Sequence, residues 1–443
     1  MSVLSEAKKT WKLSIPIILG EMTQMSLGII DNMMVGAISY KHLAAAALVL
    51  SVMNIPFVLG IGVTFSVSQL VSMANGQRDG FKVSHYLYNG FWLSAIVAVL
   101  IAVFLHGNLW ILDHLKQDPE VVTLAKPYFI IMAYSTIPML LFLGLKQFTD
   151  GLEKTKTAFI LSVAAMPINV VLNWIMIYGN LGSPRLELVG AGIATLITRV
   201  VIFIVLLVIV FTHPTFRKYI AVKGSQWKIK WQTFKDLLHI GVPTSLQAGM
   251  ESGAFAVSGI IIGTIGAVEQ AAHQIALSCA AFTFMVSFGL AQGGSIRISN
   301  AFGRNNWNEI NLIAKSTVLS GLAYGILTSI FFIVTRKSLP WAFTQDQEVI
   351  GIASILMLFA AIFQISDATQ AIGVGNLRGV KDVRIPTLLV AFSYWVIGLP
   401  VGCLLAFTFN LGAIGIWLGF LAGLSCSSTL LNIRFFRKNK KRD

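Results

Sequence analysis

Long apolar runs separated by short polar breaks make up most of this 443-residue chain. Splitting the sequence at charges and at Gly, Pro and Asn breaks leaves twelve segments of roughly 20–30 residues, the length that an α-helix needs to cross a bilayer. No charged residue occurs between Arg384 and Arg434, so the turn signal at Asn410 and Gly412 separates the last two segments. The predicted spans are 13–37, 43–73, 86–106, 121–147, 157–179, 188–212, 237–263, 271–298, 312–334, 347–376, 386–408 and 411–433. The pattern therefore predicts an all-α membrane protein with twelve transmembrane helices.

Composition supports this prediction. Apolar residues make up 56% of the chain and charged residues only 12%, against about 45–50% and about 25% in soluble domains. The three cysteines, Cys279, Cys403 and Cys426, lie inside apolar runs without the spacing of a disulfide framework or a zinc site. No phosphate-binding loop, metal cluster or nucleophile triad occurs in the sequence. We therefore expect neither an enzyme nor a cofactor.

The basic residues predict the orientation. An even number of spans places both termini on one side, and 26 of the 33 Lys and Arg residues fall on that side. The positive-inside rule then puts both termini in the cytoplasm, in a multi-pass protein of the inner (plasma) membrane. This also explains the net charge of +14 without a nucleic-acid partner. Arg199 lies within a span, and the six basic residues on the outer side are Lys41, Lys116, Lys126, Arg185, Arg336 and Lys337.

The two halves of the chain repeat each other. An ungapped offset of 227 residues (243 − 16) superposes prolines, glycines and serines that composition alone does not match easily. The matched pairs include Pro16 with Pro243, Gly36 with Gly263, Gly62 with Gly289, Ser68 with Ser295 and Gly76 with Gly303. We predict an N-terminal six-helix lobe (1–216), a basic cytoplasmic linker (217–236) and a C-terminal six-helix lobe (237–443). Parallel repeats of this kind are typical of transporters that work by alternating access.

Four stretches resemble the motifs of one transporter family. They are GIIDNMMVG (28–36), QLVSMANG (69–76), PTSLQAGME (243–251) and QISDATQAIGVGNLRGVKD (364–382). They are similar to the MATE (multidrug and toxic compound extrusion) family of the multidrug, lipid and polysaccharide exporter superfamily, and the resemblance covers nearly the whole chain. The NorM-like bacterial branch fits best, since its known carboxylates match Asp31, Glu251 and Asp367. The resemblance implies the MATE fold and efflux of drug-like compounds in exchange for Na⁺ or H⁺.

Four carboxylates fall well inside the predicted spans: Glu21, Asp31, Glu251 and Asp367. A carboxylate at the bilayer centre costs about 2.5–3.5 kcal/mol on the insertion scale, so such residues usually face a cavity, a partner or an ion route. Asp367 has no basic residue within a helical turn, and a proton or a sodium ion would supply the missing charge. The family resemblance places Glu251 with Asp367 in one lobe. We predict that these two residues couple transport to an ion.

Asp31 matches the carboxylate in the family's first helix and is our third predicted ion-coupling residue. Asn169 and Asn173 are four residues apart and so share a helix face, where they can supply ion ligands or a proton relay around Asp31. Gln24 lies near the Asp31 face and takes the repeat position of Glu251, and we predict it as a further ligand. Glu21 faces a different direction and departs from the family pattern. We expect it to pair with a polar group and include it among the relay candidates.

The substrate cavity is predicted from flexible and flat apolar side chains, which accommodate unlike organic cations. The residues that we expect to line it are Met33, Met53, Phe255, Phe284 and Phe288.

These observations predict a secondary active multidrug antiporter that exports lipophilic cations in exchange for Na⁺ or H⁺. We expect small-molecule substrates, a lipid bilayer around a monomer, and no cofactor beyond the coupling ion. The alternative is a lipid-linked oligosaccharide flippase of the same superfamily, which should have a cationic cavity. Because the sequence places only Arg199 clearly within a span, the acidic membrane charge favours the antiporter. A passive channel is disfavoured because no ring of like residues is visible.

Overall fold

The computed structural model describes residues 2–115, 117–220 and 228–439. In this part of the chain, twelve helices are long and apolar enough to cross a membrane, which confirms the predicted fold class. Lys116 and residues 221–227 of the predicted linker lie outside the described residues. The helices are α1 (Val3–Gly36), α2 (Tyr40–Gly76), α3 (Gly80–Gly107), α4 (Pro119–Gly151), α5 (Thr155–Tyr178), α6 (Glu187–Thr212), α7 (Trp231–Ile265), α8 (Ala267–Gly303), α9 (Trp307–Thr335), α10 (Gln347–Gly379), α11 (Arg384–Thr408) and α12 (Gly412–Asn439).

Several helices extend beyond the predicted spans. α1 begins ten residues before position 13, and α4 continues to Gly151 rather than ending at 147. Hydropathy marks only the apolar part of a helix, whereas the backbone hydrogen bonds continue into its charged ends. Some charged residues that the sequence places at or beyond span ends are therefore packed inside the protein; Glu6, for example, is 0% exposed.

The structure reproduces the sequence repeat in backbone detail. α2 and α8 each have 37 residues, with both ends displaced by 227 positions. The turn after each helix contains a left-handed residue, Arg78 with φ 56° and Asn305 with φ 54°. A side-chain cap follows in both copies: Asp79 accepts from the Lys82 amide at 3.0 Å, and Asn306 from the Glu309 amide at 3.2 Å.

The chain folds into two compact units. Unit 1 comprises Met1–Ile18 and Leu246–Asp443, and unit 2 comprises Leu19–Ser245. These boundaries fall within α1 and α7, whereas the sequence places them around the linker at 217–236. The predicted lobes follow the duplicated halves of the sequence and stay a prediction. In the structure, the first part of α1 packs with the second half of the sequence, and the first part of α7 packs with the first half.

Glycines allow the first parts of α1 and α7 to pack closely with the other half of the sequence. In unit 1, a Cβ on Gly289 would lie 3.0 Å from the backbone nitrogen of Ile18, so α1 packs directly on α8. In unit 2, a Cβ on Gly62 would lie 2.4 Å from Cα of Ser245, so α7 packs directly on α2. The two contacts occupy equivalent repeat positions and hold each helix end in place by close backbone packing.

α11 is the most irregular of the described helices. Two π-helical segments, Phe392–Gly398 and Leu404–Thr408, flank a short α-helical stretch that contains Pro400. Proline has no N–H for the helical ladder. The helix nevertheless packs tightly, since a Cβ on Gly419 of α12 would lie 2.5 Å from Cα of Gly402.

Candidate functional site

Unit 1 brings two of the predicted carboxylates together, Glu251 on α7 and Asp367 on α10. Oε1 of Glu251 accepts hydrogen bonds from Nε2 of Gln370 at 2.7 Å and from Nε2 of Gln247 at 3.3 Å. The hydroxyl of Tyr394 donates to Oε1 of Gln370 at 3.0 Å, which fixes the direction of that amide. Glu251 is thus held by a polar network that spans α7, α10 and α11.

Asp367 differs from Glu251 because it has neither a hydrogen bond nor an ion pair within the described residues. Its side chain is buried, with 7% exposed, and it is close enough to Glu251 for the two charges to interact. Arg378 also interacts with Glu251 through its charge, and it donates to Oε1 of Gln292 at 2.9 Å. Two carboxylates and one guanidinium give a formal charge of −1, so the group is one positive charge short of neutrality.

An aromatic cluster lies beside this network. The ring of Phe255, a predicted cavity residue, is 5.9 Å from Tyr394, 4.8 Å from Phe420 and 6.3 Å from Phe363. The structure places the other predicted cavity residues elsewhere. Phe284 and Phe288 form a separate ring pair on α8, Met53 is packed in the core of unit 2, and Met33 is 70% exposed.

Unit 2 brings the third predicted carboxylate, Asp31, together with both predicted asparagines. Nδ2 of Asn173 donates to Oδ1 of Asp31 at 2.6 Å and to Oδ1 of Asn169 at 3.0 Å. Thr195 adds a long hydrogen bond of 3.4 Å to Asp31. Within the described part of the chain, Oδ1 of Asn173 and Nδ2 of Asn169 are buried without hydrogen-bond partners. The cluster therefore offers unused polar atoms next to a carboxylate.

Arg199 balances the charge of this second cluster. It donates from Nη1 to Oγ of Ser135 at 2.7 Å, lies 5.8 Å from the ring centroid of Phe57, and interacts with Asp31 through its charge. The hydrogen bond to Ser135 joins α6 to α4 and is a helix-packing contact. The charge of Arg199 also makes the Asp31 cluster formally neutral, in contrast to the cluster in unit 1.

Two remaining candidates lie apart from the asparagines. Gln24 is half-buried and forms no hydrogen bond among the described residues. Glu21 pairs with Lys146 of α4 at 3.1 Å, as expected for a residue that needs a polar partner.

The sequence places only Arg199 clearly within a span, but burial extends to bases near the helix ends. Lys146, Arg297 and Arg378 are also buried, because the helix ends that carry them are packed against other helices. Lys146 and Arg297 pair with carboxylates, and Arg378 donates to a glutamine. They thus do not form an unpaired cationic surface.

Sequence reasoning also missed Gln370 and Tyr394. Gln370 is three residues after Asp367, a spacing that places both on one face of a helix and was available as a signal. Tyr394 comes from a separate helix, so only tertiary structure links it to the site.

Comparison with known proteins identifies the family. The MatE family model matches residues 16–175 and 243–404, one match in each half of the chain. The chain belongs to the MatE family. This confirms the resemblance found in the sequence motifs, and a member of this transporter family is not an enzyme.

Individual relatives agree with the MatE assignment. The chain is 31% identical to "Multidrug resistance protein MdtK" of Yersinia pseudotuberculosis serotype O:1b, covering 98% of this chain and 96% of the relative. It is also 31% identical to "Probable multidrug resistance protein NorM" of Rhizobium meliloti, with the same coverage. The crystal structure of the eukaryotic MATE transporter AtDTX14 has the same fold, with a TM-score of 0.89, 20% identity and 99% coverage of both chains.

Proposed function

We propose that this protein is a secondary active multidrug efflux antiporter that exports lipophilic organic cations in exchange for Na⁺ or H⁺ by alternating access. We further propose that it is a monomer in the inner membrane with both termini in the cytoplasm. The names of the MdtK and NorM relatives support multidrug efflux, and the distribution of basic residues supports the orientation.

The charge deficit of the unit 1 carboxylates carries the proposal of ion coupling. Glu251 already accepts two hydrogen bonds, whereas Asp367 is buried next to it without a described hydrogen-bond or ion-pair partner. Burying an uncompensated charge is costly, so this site favours the uptake of one positive charge. A proton on Asp367 or a sodium ion between the two carboxylates would meet this need.

In this proposal, Asp31 plays a different part. Its charge is balanced by Arg199 and its Oδ1 is held by Asn173, so it has less need of an added cation. We assign it to a supporting role in which Asn169 and Asn173 adjust to its protonation. Gln24 and the cavity residues Met33, Met53, Phe255, Phe284 and Phe288 remain proposed contacts for ion or substrate.

Alternating access then requires that ion and substrate prefer different conformations. Neutralising the unit 1 carboxylates changes which arrangement of that unit is most stable. The aromatic ring of Phe255 lies on the same helix as Glu251, one turn away, so a change at the carboxylates is transmitted directly to an apolar surface that suits flat cations.

Efflux from liposomes tests the proposal. Purified full-length protein is reconstituted, and the movement of the fluorescent cation ethidium is followed after a sodium gradient or a pH gradient is imposed separately. Transport driven by one gradient and lost in Asp367→Asn is the expected result and identifies the ion. If neither gradient moves ethidium, the antiporter proposal is wrong and lipid-linked or anionic substrates become the next class to test.

A further inference from the structure

Three charged side chains of unit 2 meet at a place that the proposed mechanism does not use. Nζ of Lys146 lies 3.1 Å from Oε1 of Glu21 and 3.3 Å from Oδ2 of Asp150. Glu21 is ten residues before Asp31 on α1, which corresponds to about 15 Å along a helix axis. This ion cluster is therefore separate from the Asp31 site.

The ion cluster holds more negative than positive charge. Among the described residues, Lys146 is the only base paired with either carboxylate, so the formal charge is −1. Asp150 is 1% exposed, and among the described residues its side-chain oxygens have no partner besides the 3.3 Å ion pair with Lys146. A single ion pair of this length repays the desolvation of a buried carboxylate only in part. Asp150 thus has free capacity to hold Lys146 more closely than it does here.

Exposure differs sharply within the ion cluster. The side chain of Lys146 is 4% exposed and that of Asp150 is 1% exposed, whereas Glu21 is 21% exposed. Glu21 is consequently the member that a molecule from outside can reach.

The helix packing itself does not require these charges. The offset between the repeats is 227 for α1 and α7 but 228 for α4 and α10, whose ends are Pro119–Gly151 and Gln347–Gly379. At the equivalent positions, unit 1 therefore has Ala248, Val374 and Arg378 in place of Glu21, Lys146 and Asp150. The surrounding contact is nevertheless the same in both units, because Gly151 packs against the carbonyl of Ser68 and Gly379 against that of Ser295.

We propose that Glu21 binds a lipophilic organic cation, whose charge takes the place of the Lys146 ammonium group while Lys146 turns fully to Asp150. The cluster already holds one monovalent cationic group, the ammonium of Lys146, so another monovalent cation is electrostatically suited to the carboxylate that Lys146 leaves. Asp150 supplies the alternative partner that keeps Lys146 from being buried alone. This inference rests on the proposed cationic cargo and adds a second cation site in unit 2.

Equilibrium binding without any ion gradient tests the inference. The probe is tetraphenylphosphonium, whose charge does not change with pH, and triphenylphosphine oxide serves as an uncharged comparison of similar shape. Both are titrated by calorimetry into the purified full-length protein and into Glu21→Gln, Asp150→Asn and Lys146→Gln. Glu153→Gln is the matched control, because it removes an exposed carboxylate from the same unit.

Substitution of Glu21 and substitution of Lys146 should have opposite effects on the affinity for tetraphenylphosphonium. Glu21→Gln should weaken tetraphenylphosphonium binding about tenfold, as expected for the loss of one contact with a charged group. Asp150→Asn should also weaken it, since Lys146 then has only Glu21 to pair with. Lys146→Gln should strengthen it several-fold because the competing ammonium is gone. Binding of triphenylphosphine oxide and the behaviour of Glu153→Gln should match the original protein.

A purely structural ion cluster gives a different pattern. If tetraphenylphosphonium binding is unchanged in Glu21→Gln, or if Lys146→Gln weakens binding as Glu21→Gln does, the inference is wrong. Should Lys146→Gln not yield monodisperse protein, the double variant Lys146→Gln with Asp150→Asn removes the competitor together with its second partner, and tighter binding is again expected. Because no gradient is used, these results do not depend on whether ethidium efflux is ion-coupled.

Discussion

Replacing Asp367 with asparagine should abolish the accumulation of substrate against its gradient. The charge count in unit 1, two carboxylates and Arg378, leaves room for one monovalent cation. Exchange of one coupling ion for one singly charged substrate is electroneutral, so only the ion gradient drives it. A tenfold ion gradient supplies about 1.4 kcal/mol, which sustains a tenfold substrate ratio at steady state.

The assay measures the steady-state ratio of ethidium across the membrane of proteoliposomes under a tenfold gradient of the coupling ion. We expect a ratio of about ten for the original protein and no accumulation for Asp367→Asn or Glu251→Gln. Glu348→Gln is a suitable control, since it removes an exposed carboxylate from the first turn of the same helix, α10. It should keep the full ratio.

Two results would refute this reasoning. A ratio near ten in Asp367→Asn would show that the coupling ion binds elsewhere. A ratio near one hundred in the original protein would require two ions for each substrate, and the charge count in unit 1 would then be the wrong basis for the stoichiometry.

Four further single variants test other parts of the structure. Asp31→Asn should slow the initial rate of ethidium efflux several-fold, because it removes the charge that Arg199 balances; an unchanged rate would rule out a supporting role. Gly151→Ala should lower the melting temperature, since its Cβ would lie 2.7 Å from the carbonyl of Ser68 and overpacking costs about 1–3 kcal/mol. Gly28→Ala, with no atom within 4 Å of the new Cβ, should leave the melting temperature equal or higher. Arg297→Met should destabilise unit 1, because Glu6 is 0% exposed and would keep only Lys9 as a partner. The loss should be smaller than the about 3–5 kcal/mol of a fully unpaired buried charge, and adding Glu6→Gln should restore most of it in a thermal-shift measurement.

The sequence predicted the fold because the controlling physics is local. Twelve apolar runs and the turn at Asn410 and Gly412 define the helices, and the structure has left-handed backbone at both residues. The repeat was equally visible, since prolines and glycines keep their spacing. The sequence did not predict the helix ends, because packing continues beyond the apolar segment of each helix. It also did not predict the irregular backbone of α11, where glycines allow a neighbouring helix to pack closely.

The sequence predicted the carboxylates and asparagines of the candidate site, and the family resemblance supplied the grouping of Glu251 with Asp367. The rarity of membrane carboxylates pointed to Asp31, Glu251 and Asp367, and the four-residue spacing pointed to the asparagines. The partners could not be found this way, because Tyr394 and Lys146 come from helices distant in sequence. Hydropathy also treated Lys146 as belonging to a span end, although its side chain is 4% exposed.

The two repeats differ in where their excess negative charge lies. The repeated helices α2 and α8 have the same length and the same cap at the following helix, and the glycine contacts recur in both units, so the charged residues can vary without loss of the fold. In unit 2, the Asp31 cluster is balanced by Arg199, while the ion cluster around Lys146 carries the excess negative charge. In unit 1, the excess negative charge lies at Glu251 and Asp367. If each excess charge attracts a different cation, the substrate at Glu21 and the coupling ion at Asp367, then competition between them need not occur at a single shared site. Exchange would instead follow from the conformational preference of each unit, and the rates of the Glu21→Gln and Asp367→Asn variants should respond to substrate and ion concentrations separately.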